Sequence, residues 1–79
     1  MHATPIASAT RQGCPCEALH QLSFTRDVPV IIHYEWLEKF YNGAVIVERG
    51  GGGYDAYLDS SAPDEVVRAA VAREIEQLD

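Results

Sequence analysis

Residues 44–59, AVIVERGGGGYDAYLD, decide what kind of domain this chain can form. Two short segments rich in β-branched and aromatic residues, 44–49 and 54–59, flank four consecutive glycines. This pattern predicts an antiparallel β-hairpin with a glycine turn. Alternate residues of the second strand are expected to face the core and the solvent. The inward set is Tyr54, Ala56 and Leu58, and the outward set is Asp55, Tyr57 and Asp59.

The segment after the hairpin, residues 62–78, has the pattern of an amphipathic helix. Ser61 is the expected N-cap and Pro63 lies in the expected first turn. Asp64 and Glu65 carry negative charge where the helix dipole is positive. An apolar stripe recurs at helical spacing and is expected to pack on the sheet. Its members are Val67, Val71, Ile75 and Leu78, widened by Val66 and Ala70.

The segment before the hairpin contains conflicting signals. Residues 28–32, VPVII, are rich in β-branched residues and favour an extended chain. Residues 33–41 carry aromatic and apolar side chains at helical spacing, which predicts a middle helix there. This segment, with Trp36, is expected to cover the sheet together with the C-terminal helix. A hairpin that turns on Asn42 and Gly43 is the alternative.

These elements predict one small α+β domain over residues 16–79, preceded by a flexible N-terminal arm, residues 1–15. The expected sheet is antiparallel and has two or three strands. Two strands alone would be marginally stable, so a third is expected from 19–25 or 28–32. Residues 16–25 are compatible with either a short helix or a strand.

The charge of the chain narrows its possible functions. Twelve acidic residues face six basic ones among 79 residues, for a net charge of −6. This excess disfavours direct binding to nucleic acid or to an anionic membrane. The sequence shows no membrane-spanning run and no secretory signal, so a cytoplasmic protein is expected. Acidic residues suit a basic protein partner, although they also serve solubility alone.

The two cysteines of the chain raise the question of a metal or redox site. Cys14 and Cys16 flank Pro15, and His20 follows. A zinc site needs about four ligands, and this spacing is shorter than the usual zinc pattern, even with His2 added. No metal and no cofactor is therefore expected. A thiol-dependent metal or redox carrier, or a cysteine-linked dimer, remains an alternative.

No catalytic residue is expected either. The glycine run lacks the Lys-Ser/Thr of a phosphate-binding loop, and its surroundings are acidic. His33 lies beside Tyr34 and Glu35, but no nucleophile pattern accompanies it, which favours a structural histidine. An aromatic residue framed by carboxylates instead suits a protein–protein hot spot. The expected partner-binding residues are Asp55, Tyr57, Asp59, Asp64 and Glu65.

Two resemblances extend this interpretation. In size, charge and the acidic stretch YDAYLDSSAPDEVVRAAVAREIEQLD, residues 54–79, the chain resembles in general character the small inhibitors of host defence encoded by phages and mobile elements, the anti-CRISPR proteins among them. That resemblance implies a non-enzymatic inhibitor in a bacterial cytoplasm. We expect the chain to be a monomer or a weak homodimer. Its partner would be a basic nucleic-acid-binding protein such as a Cas subunit.

The second resemblance concerns residues 45–59, VIVERGGGGYDAYLD, which are similar to the first hairpin of HicB-like antitoxins. The Pro-Asp-Leu-Pro-Gly-Cys stretch that follows in that family is replaced here by SSAPDE, residues 60–65. Because of the similarity an antitoxin-type regulator is considered, and because of this departure it is the alternative function and not the first.

Overall fold

The computed structural model describes residues 16–78, which form an α+β domain. The N-terminal arm expected over residues 1–15 lies outside the described residues. The elements in chain order are α1 (Cys16–Arg26), β1 (Val30–Glu35), β2 (Ala44–Glu48), β3 (Tyr54–Asp59) and α2 (Asp64–Glu76), with one turn of 3-10 helix at Lys39–Tyr41. In the part of the chain described, no helix combines the length and apolar character needed to cross a membrane.

The sheet is mixed, with the strand order β1-β3-β2. β2 and β3 form the predicted antiparallel hairpin, whereas β1 pairs with β3 in parallel. The parallel pairing begins where Tyr54 N–H donates to the Pro29 carbonyl and ends where Ser60 N–H donates to the Glu35 carbonyl, both at 2.9 Å. The expectation of a purely antiparallel sheet is therefore wrong, because the third strand, β1, pairs with the second edge of β3 and runs in the same direction as β3.

The prediction of a middle helix over residues 33–41 is also wrong. Residues 33–35 complete β1, and only Lys39–Tyr41 make a helical turn. The β-branched residues of β1 favour a strand, and the second edge of β3 would otherwise leave buried N–H groups unpaired. The alternative hairpin at Asn42 is not formed, since Asn42, with φ 58°, ends the 3-10 turn.

The core lies between the sheet and the two helices. α1 supplies two buried leucines and covers the area that the Trp36 segment was expected to cover, while Trp36 itself is 63% exposed. The inward set predicted on β3 is confirmed, with Ala56 and Leu58 fully buried. The buried apolar residues are Leu19, Leu22, Ala44, Ile46, Tyr54, Ala56, Leu58, Val67, Ala70 and Val71.

The C-terminal helix forms, but it begins later than expected. α2 starts at Asp64, Pro63 occupies the N-cap position, and no side chain caps the helix there. Ser61 was expected as the cap, but its hydroxyl donates instead to Asp59 Oδ1 at 2.7 Å. The predicted capping role is wrong because the nearer carboxylate binds that hydroxyl before the helix begins.

Gly53 is the most constrained position of the glycine run. Gly53 has φ +90°, and a Cβ there would collide with the carbonyl oxygen of Pro29, at the start of the parallel pairing. At Gly51, by contrast, an added Cβ would meet nothing within 4 Å. The run therefore combines a constrained position next to the strand with an unconstrained one at the tip.

We expect Gly53→Ala to destabilise the domain by about 1–3 kcal/mol, because it adds a strained φ and a clash with the backbone. Gly51→Ala is the matched control and should change the free energy of unfolding by less than about 1 kcal/mol. Urea denaturation followed by circular dichroism measures both. Equal midpoints for the two variants would contradict the close approach of Gly53 to Pro29.

We expect Val71→Asp to unfold the domain, because Val71 is fully buried and the variant places an unpaired charge in a small core. Val66→Asp introduces the same charge on the same helix, where Val66 is 41% exposed, and should keep a cooperative thermal transition. A cooperative, near-wild-type melt of Val71→Asp would show that α2 packs through another face.

Candidate partner-binding face

The sheet has one face without a helical layer among residues 16–78, since α1 and α2 both pack on the other. We call it the outer face. The alternation of side chains and the strand register determine its members. They are Ile31, His33 and Glu35 of β1, Val45 and Val47 of β2, and Asp55, Tyr57 and Asp59 of β3.

His33 and Tyr57 lie side by side at the centre of the outer face. Their rings stack with centroids 4.5 Å apart and an interplanar angle of 12°. His33 Nε2 lies 2.9 Å from Asp55 Oδ1. An ionised carboxylate only accepts hydrogen bonds, so Nε2 carries the proton that His33 donates. This geometry agrees with the structural role expected for His33, since its ring stacks on Tyr57 and donates a hydrogen bond to Asp55.

Asp55 is partly neutralised by its neighbours. Arg49 Nη1 donates to the same Oδ1 atom at 3.2 Å. The hydrogen bond from His33 is the main cause that lowers the pKa of Asp55 below its ordinary value, and the nearby Arg49 charge acts in the same direction. Asp55 therefore stays ionised, but its negative charge is balanced within the protein.

Asp59 organises the backbone around it. Its Oδ1 accepts hydrogen bonds from the Ser61 N–H at 3.0 Å, from the Ser61 hydroxyl at 2.7 Å and from the Leu37 N–H at 3.3 Å. The Ser61 N–H is the main cause that lowers the pKa of Asp59, followed by the Ser61 hydroxyl. This carboxylate joins the turn before α2 to the loop after β1, so it has a structural role as well as its place on the outer face.

The five residues predicted to bind a partner do not share one surface. Asp55, Tyr57 and Asp59 lie on the outer face, as the alternation along β3 predicts. Asp64 and Glu65 form the first turn of α2, whose buried residues pack against the opposite face of the sheet. The turn over residues 60–63 carries the chain from one layer to the other.

Sequence reasoning missed the most exposed aromatic residues. Phe40 is 72% exposed and Trp36 63%, both in the loop that crosses from β1 to β2, and Phe24 of α1 is 89% exposed. Tyr57, expected to be the exposed aromatic, is only half-buried. A strand assignment for β1 could have revealed the exposure of Trp36 and Phe40, since a helix over 33–41 would have buried part of that aromatic set.

The described residues give little support to a thiol-dependent metal or redox carrier. Cys16 Sγ lies 2.8 Å from the Tyr34 hydroxyl, and Cys14 is outside the described range. Within residues 16–78, no group of three His, Cys, Asp or Glu side chains is arranged to hold a metal ion.

The hairpin tip borders an open depression of about 560 Å³ beside the outer face. Asp55 is one of its lining residues, and a carboxylate disfavours bound phosphate. The depression is lined by Pro29, Ile31, Arg49, Gly50, Gly51, Gly52 and Asp55.

Comparison with known proteins finds no match to this chain, whether with protein-family models, curated proteins or solved structures.

We expect Asp59→Asn to lower the melting temperature at neutral pH. The folded pKa of Asp59 lies below its ordinary value of 3.8, so its charge contributes stability above that value. The contribution is lost as the pH falls through the lower folded pKa. The difference in melting temperature between wild type and variant should therefore shrink on acidification.

Glu76→Gln is the control, since Glu76 is an exposed carboxylate in the last turn of α2. Thermal melts from pH 7 down to pH 2 compare the three proteins. A difference between wild type and Asp59→Asn that stays constant with pH would contradict the role of the Asp59 charge.

Proposed function

We propose that this chain is a non-enzymatic binding protein that inhibits or regulates a protein partner through the outer face of its sheet. One observation carries the proposal: a strand face without a helical layer among residues 16–78 presents Tyr57 from the central strand, with carboxylates before and after it. Aromatic residues at the centre of a surface, surrounded by polar groups, are the usual anchors of protein interfaces.

The outer face has the composition of an interface. Ile31 and Val47 are 41% and 44% exposed on the two edge strands. The strand register sets both of them beside Asp55, and it sets Tyr57 between His33 and Val45. Glu35 and Asp59 lie at one end of the outer face, and Arg49 pairs with Asp55 toward the other end. Such an arrangement combines exposed apolar and aromatic area with charged groups, which is the mixture found in interfaces between proteins.

The outer face is also preorganised. Tyr57 is held by the sheet and by its stack on His33, so binding would cost little side-chain entropy. Rigid aromatic anchors of this kind gain affinity because few rotamers are lost on complex formation.

The charge of the chain supports a basic partner. The net charge is −6, and long-range attraction of this size speeds association with a positively charged surface. A basic nucleic-acid-binding protein, such as a Cas subunit bound by an anti-CRISPR-type inhibitor, is the partner we propose. Inhibition would follow if the bound chain covered that protein's nucleic-acid site.

We expect Tyr57→Ala to weaken the complex by about 2 kcal/mol, mainly through faster dissociation, if Tyr57 is an anchor. A pull-down from bacterial lysate identifies the partner, and surface plasmon resonance then measures the affinity. Trp36→Ala tests the crossing loop, because Trp36 is 63% exposed and directly follows β1. Loss of binding by Trp36→Ala but not by Tyr57→Ala would move the site to that loop.

Charge is tested by a matched pair of reversals. We expect Glu35→Lys, on the outer face, to slow association and to reduce its dependence on salt. Glu76→Lys makes the same charge change on α2, in the other layer, and should have a smaller effect. Equal effects of the two reversals would show that only the overall charge matters, and unchanged affinity for Tyr57→Ala and Glu35→Lys would remove the outer face from consideration.

A further inference from the structure

The two edges of the sheet differ in how they are protected. On β2 the hydrogen bonds from Arg49 N–H to the Gly53 carbonyl and from Asp59 N–H to the Gly43 carbonyl show that odd-numbered residues face β3. Ile46 N–H therefore points to the outside of the sheet, where it donates to Glu74 Oε1 of α2 at 3.4 Å. α2 thus shields the β2 edge with a carboxylate, one of the usual devices against unwanted strand pairing.

No such device covers the β1 edge among residues 16–78. The carbonyls of Pro29 and Glu35 bind β3, so the odd-numbered residues of this strand also face inward. The N–H and carbonyl groups of Val30 and Ile32 consequently point away from the sheet. No residue in the range 16–78 donates to them or accepts from them there. The strand has the sequence VIIHYE, without the lysine or proline that commonly protects an exposed edge.

We propose that β1 pairs with β1 of a second copy of this chain, in antiparallel orientation about a two-fold axis at Ile31. This register places Val30 opposite Ile32 of the second copy, and the outward groups of these residues form four hydrogen bonds in a closed, symmetric ladder. The two three-stranded sheets then become one sheet of six strands.

Side-chain chemistry favours a second copy in this register. On the outer face Ile31 meets its own equivalent, which buries a residue that is 41% exposed in the single chain. On the core face Val30 meets Ile32 of the second copy, and both residues pack against the core of their own chain. The contacts among Val30, Ile31 and Ile32 of the two copies are therefore apolar against apolar, and no buried polar side chain among them needs a new partner.

Self-association and partner binding respond to salt in opposite ways. Each copy carries a charge of −6, so the two copies repel and added salt should strengthen the dimer. Binding of a basic partner should weaken with salt. The dimer does not depend on the proposed function, because it needs no other protein.

The experiment is sedimentation velocity of the full chain over a concentration series at low and high salt, in a Cys14→Ser/Cys16→Ser background that removes cysteine-linked dimers. We expect a reversible dimer that strengthens with salt. Ile31→Lys places like charges opposite each other and should raise the dimer Kd by about tenfold or more. Val47→Lys is the control, since Val47 is equally exposed on the other edge strand and should change the Kd by less than about twofold.

Cross-linking tests the register directly. Directly opposed residues at a non-hydrogen-bonded position have Cα atoms about 4.5 Å apart, which suits a disulfide. In the cysteine-free background, Ile31→Cys should form a covalent dimer on mild oxidation, whereas Val47→Cys should not. A chain that stays monomeric at all concentrations, or a dimer that Val47→Lys disrupts and Ile31→Lys does not, would overturn the proposal.

Discussion

The parallel pairing of β1 with β3 is the interaction on which the rest of this structure depends. It runs from the Pro29 carbonyl to the Glu35 carbonyl and gives β3 a partner on its second edge. Because β1 and β3 run in the same direction, the chain must cross the end of β3 before it can enter β2. The crossing loop carries Trp36 and Phe40, which remain exposed because the core is already filled by α1 and α2. One pairing thus accounts for the central strand, the crossing loop and the exposed aromatic residues.

The same pairing builds the outer face. His33 reaches Tyr57 and Asp55 only because the register sets it opposite Tyr57. A slip by one residue would turn His33 toward the core and leave the carboxylate of Asp55 without its imidazole partner. The close approach that begins this register is possible because Gly53 has no side chain beside Pro29. A glycine in the hairpin turn and a histidine on another strand are therefore parts of one geometric constraint.

Features that depend on near neighbours in the chain could be predicted from the sequence. The hairpin, the helix α2 and the inward and outward sets of β3 follow from alternation and helical spacing. β1 could not be assigned, because its β-branched residues favour a strand while the aromatic spacing after them favours a helix, and the free edge of β3 decides between the two. The role of Asp59 was also hidden, since it binds Leu37, which is distant in sequence. Asp64 and Glu65 seemed close to the outer-face residues only because the turn at 60–63 is short.

The structure also changes the meaning of the acidic composition. Asp55 is balanced by Arg49 and His33, and Asp59 is occupied by hydrogen bonds from Ser61 and Leu37. Carboxylates engaged in this way attract a nearby basic group less strongly than free ones, although they still count in the net charge of the whole molecule. In the proposed function, the charge therefore acts at long range, where it speeds encounter with a basic protein. Specificity at contact would come from Tyr57 and the apolar residues around it, because their positions are set by the strand register.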